Sequence, residues 1–240
     1  MTVADDLAFK PLYQQVREKL TRRIAEGSWR GGEIVPSEMQ IAAELGVSQG
    51  TVRKALDEMT TAKLLLRKQG IGTFVATHDE ARILFQFFKL MPDSGEQVFP
   101  ESVVLSVETG AADEVAAERL ALFKGEPVIR ICRVRSIGTR KAISETIIVP
   151  LALFDGLQDA KIPNNLYQLY ADRYGVRVAG GRETLKAVAA SAKDSVVLGI
   201  KQGTPLLVID RVAIALDGRP VEWRVSLCET SEVHYATELS

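Results

Sequence analysis

The chain has 240 residues, 46% of them hydrophobic and 6% aromatic, enough for two domains that each bury a mainly aliphatic core. Its 30 Lys/Arg stand against 31 Asp/Glu, so overall charge speaks against a non-specific polyanion-coating protein. Residues 1–77 are slightly basic, with 11 Lys/Arg against 9 Asp/Glu, so any nucleic-acid reading must rest on where the bases sit.

The first predicted helix runs from about Pro11 to Glu26. Leu12, Val16, Leu20 and Ile24 recur at four-residue steps, Pro11 suits the start and Gly27 the stop. The second opens at Ser37 and ends at Gly46. Ser37 and Gln40 have capping-box spacing. The third follows Ser48 and reaches about Lys63, with Val52, Ala55, Leu56 and Met59 as its apolar stripe. Only Gly46-Val47-Ser48 separates helices two and three, which is helix-turn-helix spacing. Residues 64–75 then read as two short strands around Gln69-Gly70-Ile71-Gly72, a wing.

Beyond a boundary near Thr77 the pattern turns strand-rich. Strands are expected at 83–88, 103–109, 128–137, 142–149, 176–189, 206–216 and 221–227. Short helices fit at 111–122, 165–174 and 192–199. The chain is thus α+β: residues 1–77 a winged helix-turn-helix, 78–90 a linker and first strand, and 91–240 a mostly antiparallel sheet domain with peripheral helices. A weak internal repeat runs through the second half. Pro127 and Arg133 recur as Pro205 and Arg211, both at an offset of 78.

In a helix-turn-helix the start of the second helix enters the major groove. The residues there are Ser48, Gln49, Gly50, Thr51, Arg53 and Lys54, with Ser37 at the start of the preceding helix. Arg53 can reach a guanine edge or a phosphate, and Lys54 a phosphate. In the wing, Arg67 and Lys68 flank Gly70 and Gly72, whose bare backbone permits close approach to DNA. Arg22, Arg23 and Arg30 add bases. Double-stranded operator DNA is the expected partner. A two-fold dimer would read half-sites roughly 34–36 Å apart.

In the second half, alternation along a strand puts Arg133 and Arg135 on an otherwise apolar face with Ile129, Ile131 and Ile137. Glu145 falls among Ile143, Ile147 and Val149, and Glu183 among Leu185, Ala187 and Ala189. Either these are buried ion pairs, or the excess of arginine marks a site for an anionic ligand. Asn165 opens a helix whose free N–H groups could hold the same anion. Lys89 and Tyr235 are further candidates for the pocket lining. No nucleophile–base pair stands out, His78 and His234 are too isolated for a metal site, and no cofactor is expected, so an enzyme is set aside. No stretch approaches the roughly 18 apolar residues of a membrane span, and the start lacks an export signal. Cys132 and Cys228 show no disulfide framework. A cytoplasmic protein with free thiols is expected.

These motifs carry a resemblance. Pro11-Leu12-Tyr13, Gly32-Glu33, Pro36-Ser37-Glu38, Leu45-Gly46-Val47-Ser48, Thr51-Val52-Arg53, Ala55-Leu56, Gly70 and Gly72-Thr73-Phe74-Val75 resemble the GntR family of bacterial regulators, in order and in spacing. Arg133, Arg135, Glu145, Asn165-Leu166-Tyr167, Glu183, Gly203, Pro205, Asp217-Gly218, Pro220 and Glu222 are similar to the UTRA domain of the HutC subfamily. The resemblance implies a chorismate-lyase-like fold used for binding, with a phosphorylated sugar or carboxylic acid as effector. It implies a homodimeric, ligand-responsive, sequence-specific transcription regulator acting as a repressor. Two departures stand out. Gln49 replaces the family's usual Arg, which moves the base preference from guanine towards adenine. Glu229–Tyr235 replaces a usual Arg-Gly-Asp-Arg-Tyr, so effector identity does not carry over.

Overall fold

The computed structural model describes residues 10–62, 64–76, 87–93 and 99–237, which fall into two compact units divided at Thr77/His78.

In the first unit α1 (Leu12–Ala25), α2 (Glu38–Leu45) and α3 (Gln49–Thr61) bury one stripe each. Val16, Leu20, Ile24, Ile41, Val52, Ala55, Leu56 and Met59 are buried in the core, while Leu12 at the helix end is half exposed. Ser37 and Gln40 form the expected capping box, and Gly46 closes α2 in the left-handed region at φ 66°. The Ser48 side chain caps α3, accepting from the Thr51 amide at 3.2 Å. The wing is β1 (Leu65–Lys68) paired antiparallel with β2 (Gly72–Val75). A third piece joins it: Ile34 bridges Phe74, and the Val35 amide donates to the Thr73 carbonyl at 2.7 Å. That long-range partner gives no local signal in the sequence.

The second unit is a six-stranded antiparallel sheet in the order β4-β5-β6-β9-β8-β7. Its strands are β4 (Glu101–Ala111), β5 (Pro127–Ile137), β6 (Arg140–Pro150), β7 (Val178–Ala189), β8 (Pro205–Ala215) and β9 (Pro220–Glu229). The order explains the repeat. The β4-β5-β6 and β7-β8-β9 copies meet at the central β6–β9 pair, so Arg133 and Arg211 occupy matching strands on either side of it. On one face Ile129, Ile131, Ile147 and Val149 pack against Leu166, Tyr167 and Tyr170 of α5 (Leu166–Tyr174). On the other, α4 (Glu114–Leu120) covers Val128 and Ile148, and α6 (Ala192–Leu198) covers Val134 and Leu206.

Three expectations need correction. The strand expected at 83–88 lies largely outside the described residues, and its described end, Phe87 and Phe88, is not in a strand; the first strand here is β3 (Leu90–Pro92). Its partner β10 (Val233–Tyr235) was not anticipated, because a three-residue strand has too little pattern to read. Leu185, Ala187 and Ala189 form no buried stripe with Glu183. They are exposed, because β7 is the sheet's outer strand and no described element covers them. Among the described residues, no helix is long and apolar enough to cross a membrane.

Candidate nucleic-acid interface and buried anion pocket

Gln49, Gly50, Arg53 and Lys54 are exposed along the start of α3, and Thr51 is half buried behind the Ser48 cap. They are organised around one carboxylate that sequence reasoning passed over. Glu38 accepts from Gln49 Nε2 at 3.2 Å, from Arg53 Nε at 3.0 Å and from Arg67 Nη2 at 3.4 Å. The Arg53 hydrogen bond comes first in holding the Glu38 carboxyl below its usual range, so it stays ionised. Lys54 Nζ lies 3.9 Å from the centre of the Tyr13 ring, a cation–π contact linking α3 to α1.

In the wing, Lys68 stands over the Phe74 ring, while Arg67 bonds Asp57 at 2.7 Å and so ties the wing to α3. Arg23 is not a free base: it pairs with Glu44 and stacks on Trp29. Gly70 and Gly72 take φ of 72° and 142°, and a Cβ on Gly72 would meet Ile34 Cδ1 at 2.9 Å. Sequence reasoning placed these glycines for approach to DNA. The geometry adds that the turn itself demands them.

In the second unit the sheet face beside α5 opens into a pocket lined by Arg133, Arg135, Arg211 and Arg224 and, among the described residues, a single carboxylate, Glu145. Arg133 Nε donates to Glu145 Oε2 at 2.6 Å, and its Nη1 to the Asn164 carbonyl at 3.1 Å. Arg224 makes a two-pronged bond to Glu222, 2.9 Å at each prong, and the Tyr167 and Tyr170 hydroxyls complete that carboxylate's shell. Arg211 pairs with Glu183 and donates to the Phe87 carbonyl; Tyr235 donates to the other Glu183 oxygen.

Arg135 is the exception. Its nearest carboxylate oxygen is Glu145 Oε1, 3.7 Å away, which also lies 3.7 Å from Arg224. Arg135 instead donates to Ser102 Oγ at 3.1 Å and to the Pro100 carbonyl at 3.3 Å, between the rings of Phe88 and Phe99. Burial pushes its guanidinium down to about 9, against the pull of Glu145, and it remains charged at neutral pH. Glu145 is driven below the carboxylate range: burial opposes this, but Arg133, Arg224 and Arg135 together prevail.

The structure thus brings Arg133, Arg135, Glu145 and Asn165 together at the pocket. Asn165 caps α5, accepting from the Gln168 amide at 3.1 Å. Glu183 and Tyr235 line an adjoining recess with Lys89, Gly180 and Gly181; Lys89 borders the main pocket as well. Arg211, Arg224 and Glu222 were missed as site residues. The repeat offset pointed to Arg211. Alternation along β9 places Glu222, Arg224, Ser226 and Cys228 on one face, the same signal that exposed Arg133 and Arg135. Among the described residues no cluster of three or more potential metal ligands occurs.

A capped helix-turn-helix with a wing, carried in one chain with a domain holding an arginine-lined pocket, defines a DNA-binding regulator with a ligand-sensing half. The chain belongs to the gntR family of bacterial regulatory proteins, matched over residues 12–75, and its second half is a UTRA domain, matched over residues 96–234. This pairing is that of the HutC subfamily. The chain is 27% identical over 233 residues to the mannosyl-D-glycerate transport/metabolism system repressor MngR of Escherichia coli, covering 95% of this chain and 96% of that one. It is 27% identical over 235 residues to the transcriptional repressor NagR of Bacillus subtilis, covering 96% of each chain. The ligand-binding domain of a Bordetella bronchiseptica chain assigned to the GntR-family regulators superposes with a TM-score of 0.61 at 32% identity, covering 65% of this chain and 98% of that one. The protein is therefore a ligand-responsive, DNA-binding transcription regulator and not an enzyme.

Proposed function

We propose that the protein is a cytoplasmic homodimeric repressor whose hold on a near-palindromic operator is released by a small anionic metabolite, a phosphorylated sugar or a carboxylic acid. In this reading residues 1–77 grip DNA, 78–90 connect, and 91–240 bind the effector. Ser37, Ser48, Gln49, Gly50, Thr51, Arg53 and Lys54 meet the major groove, with Lys68, Gly70 and Gly72 of the wing on the flanking backbone. Arg133 and Arg135 hold the anion, with Glu145, Asn165, Glu183 and Tyr235 around the remainder of the ligand.

The observation that carries the reading is Arg135. It is buried, charged, and shares its nearest carboxylate with two other arginines. An incoming carboxylate or phosphate would supply a close charged partner in place of the long Glu145 contact, in exchange for the Ser102 or Pro100 bond. One relative's system handles mannosyl-D-glycerate, itself a carboxylate, in keeping with an anionic effector. The ligand would act by favouring one arrangement of the DNA-binding heads over another.

Thermal-shift screening against small sugar phosphates and carboxylic acids tests the pocket. A ligand that raises the melting temperature of the wild type should leave Arg135→Ala unshifted; an equal shift in both would move the site elsewhere. On the DNA side, Arg53→Ala should cost roughly 1–3 kcal/mol of operator discrimination in a gel shift at fixed salt. Equal binding of wild type and variant to operator and random DNA would refute sequence-specific reading by this helix.

A further inference from the structure

We infer that Glu38 is a positioning residue that fixes the base preference of the DNA-reading helix, by locking the Gln49 amide in the one orientation that reads adenine. The inference rests on the reading of α3 as the groove-facing helix.

The chemistry follows from the donor inventory. An ionised carboxylate is acceptor-only, so the edge of the Gln49 amide that faces Glu38 must be its NH2, and Oε1 must point away. The amide nitrogen has two hydrogens. When the one spent on Glu38 is the hydrogen trans to Oε1, the other hydrogen and the carbonyl oxygen stand side by side. That donor–acceptor pair matches the N7 acceptor and N6 donor on the major-groove edge of adenine. With the amide turned over, its NH2 would leave Glu38 and the carbonyl oxygen would face a carboxylate.

The same carboxylate accepts from Arg53 Nε at 3.0 Å and its Oε2 lies 2.9 Å from Arg53 Nη2 in the ion pair, so Nη1 is not spent on Glu38. Arg67 of the wing approaches the other oxygen. One side chain at the start of α2 therefore sets the orientation of both reading residues of α3. It also ties them to the wing. The capping box holds the backbone of Glu38 in place, so the anchor is itself rigid. In a helix carrying arginine in place of Gln49 a carboxylate would merely neutralise charge. With glutamine present it chooses which face of an amphoteric amide is shown.

The test is selection of binding sites from a pool of randomised duplexes by the full-length protein at fixed salt, followed by sequencing. Gln49→Arg should change one base pair per half-site from A·T to G·C. Glu38→Gln can satisfy either amide orientation, and should flatten preference at that same base pair on the order of tenfold. Its affinity for random DNA should hold or rise, because a negative charge has left the interface. Glu38→Asp keeps the charge but shortens the reach. It should flatten the same position, which separates positioning from charge and guards against a folding defect in the first variant. Retention of the wild-type preference at that position by both variants would overturn the role of Glu38. If Gln49→Arg alters no position, the fault lies with the reading of α3 itself.

Discussion

Deleting the Glu145 carboxylate would leave Arg133 with only its backbone acceptor, and Arg135 and Arg224 with a more repulsive neighbourhood. Buried guanidinium groups cannot shed their proton cheaply, so the cost falls on the fold. Glu145→Ala should destabilise the protein by about 3–5 kcal/mol in urea unfolding; a loss below about 1 kcal/mol would mean that water already solvates the cluster. Cysteine reactivity probes the same region. Cys228 is fully buried behind this pocket, and burial pushes its thiol above the usual range, whereas Cys132 is half buried on the opposite face of its strand. Ellman's reagent at pH 8 should therefore modify Cys132 in the native protein and reach Cys228 only in denaturant. Rapid modification of both would show that the pocket opens readily.

Elements whose limits are set by neighbouring residues could be read directly. The Ser37 and Ser48 caps and the left-handed Gly46 are decided within four residues, so α2 and α3 were legible, and α1 was legible from its four-residue apolar period. Ser37→Ala should cost about 1 kcal/mol in urea unfolding. The Ile34 bridge, β3 and β10 depend on partners far along the chain, and their short lengths left no period to detect. The pocket was half legible for a similar reason. Alternation exposed Arg133, Arg135 and Glu145, but only the strand order shows that β9 lies beside β6 and delivers Arg224 to the same carboxylate. Gly72 illustrates both cases: its place in a turn was readable, while its contact with Ile34 was not. Gly72→Ala combines a strained φ with a clash, and should weaken DNA binding by deforming the wing; unchanged affinity in a fluorescence-anisotropy titration would show that the wing does not contribute.

At the scale of the molecule the buried charges make stability depend on pH. Glu145 has a carboxyl held below its ordinary value of 4.5 in the folded state, by three arginines acting against burial. A depressed carboxyl contributes stability that is fully present above its unfolded value and is lost as pH falls towards the folded one. Neighbouring arginines stay protonated throughout, so they cannot offset the loss. The sheet unit should therefore hold its melting temperature from pH 7 down to about 5.5, then lose it steadily below about 4.5. The chain's two tryptophans permit a local reading, since Trp223 lies in β9 and Trp29 in the first unit. In a Trp29→Phe background, Trp223 fluorescence reports the sheet alone. Glu145→Gln should lower the melting temperature at pH 7 and flatten the acid slope, because an uncharged amide has no proton to gain. If the slope persists in that variant, acid lability comes from other carboxylates and the arginine cluster is not its source.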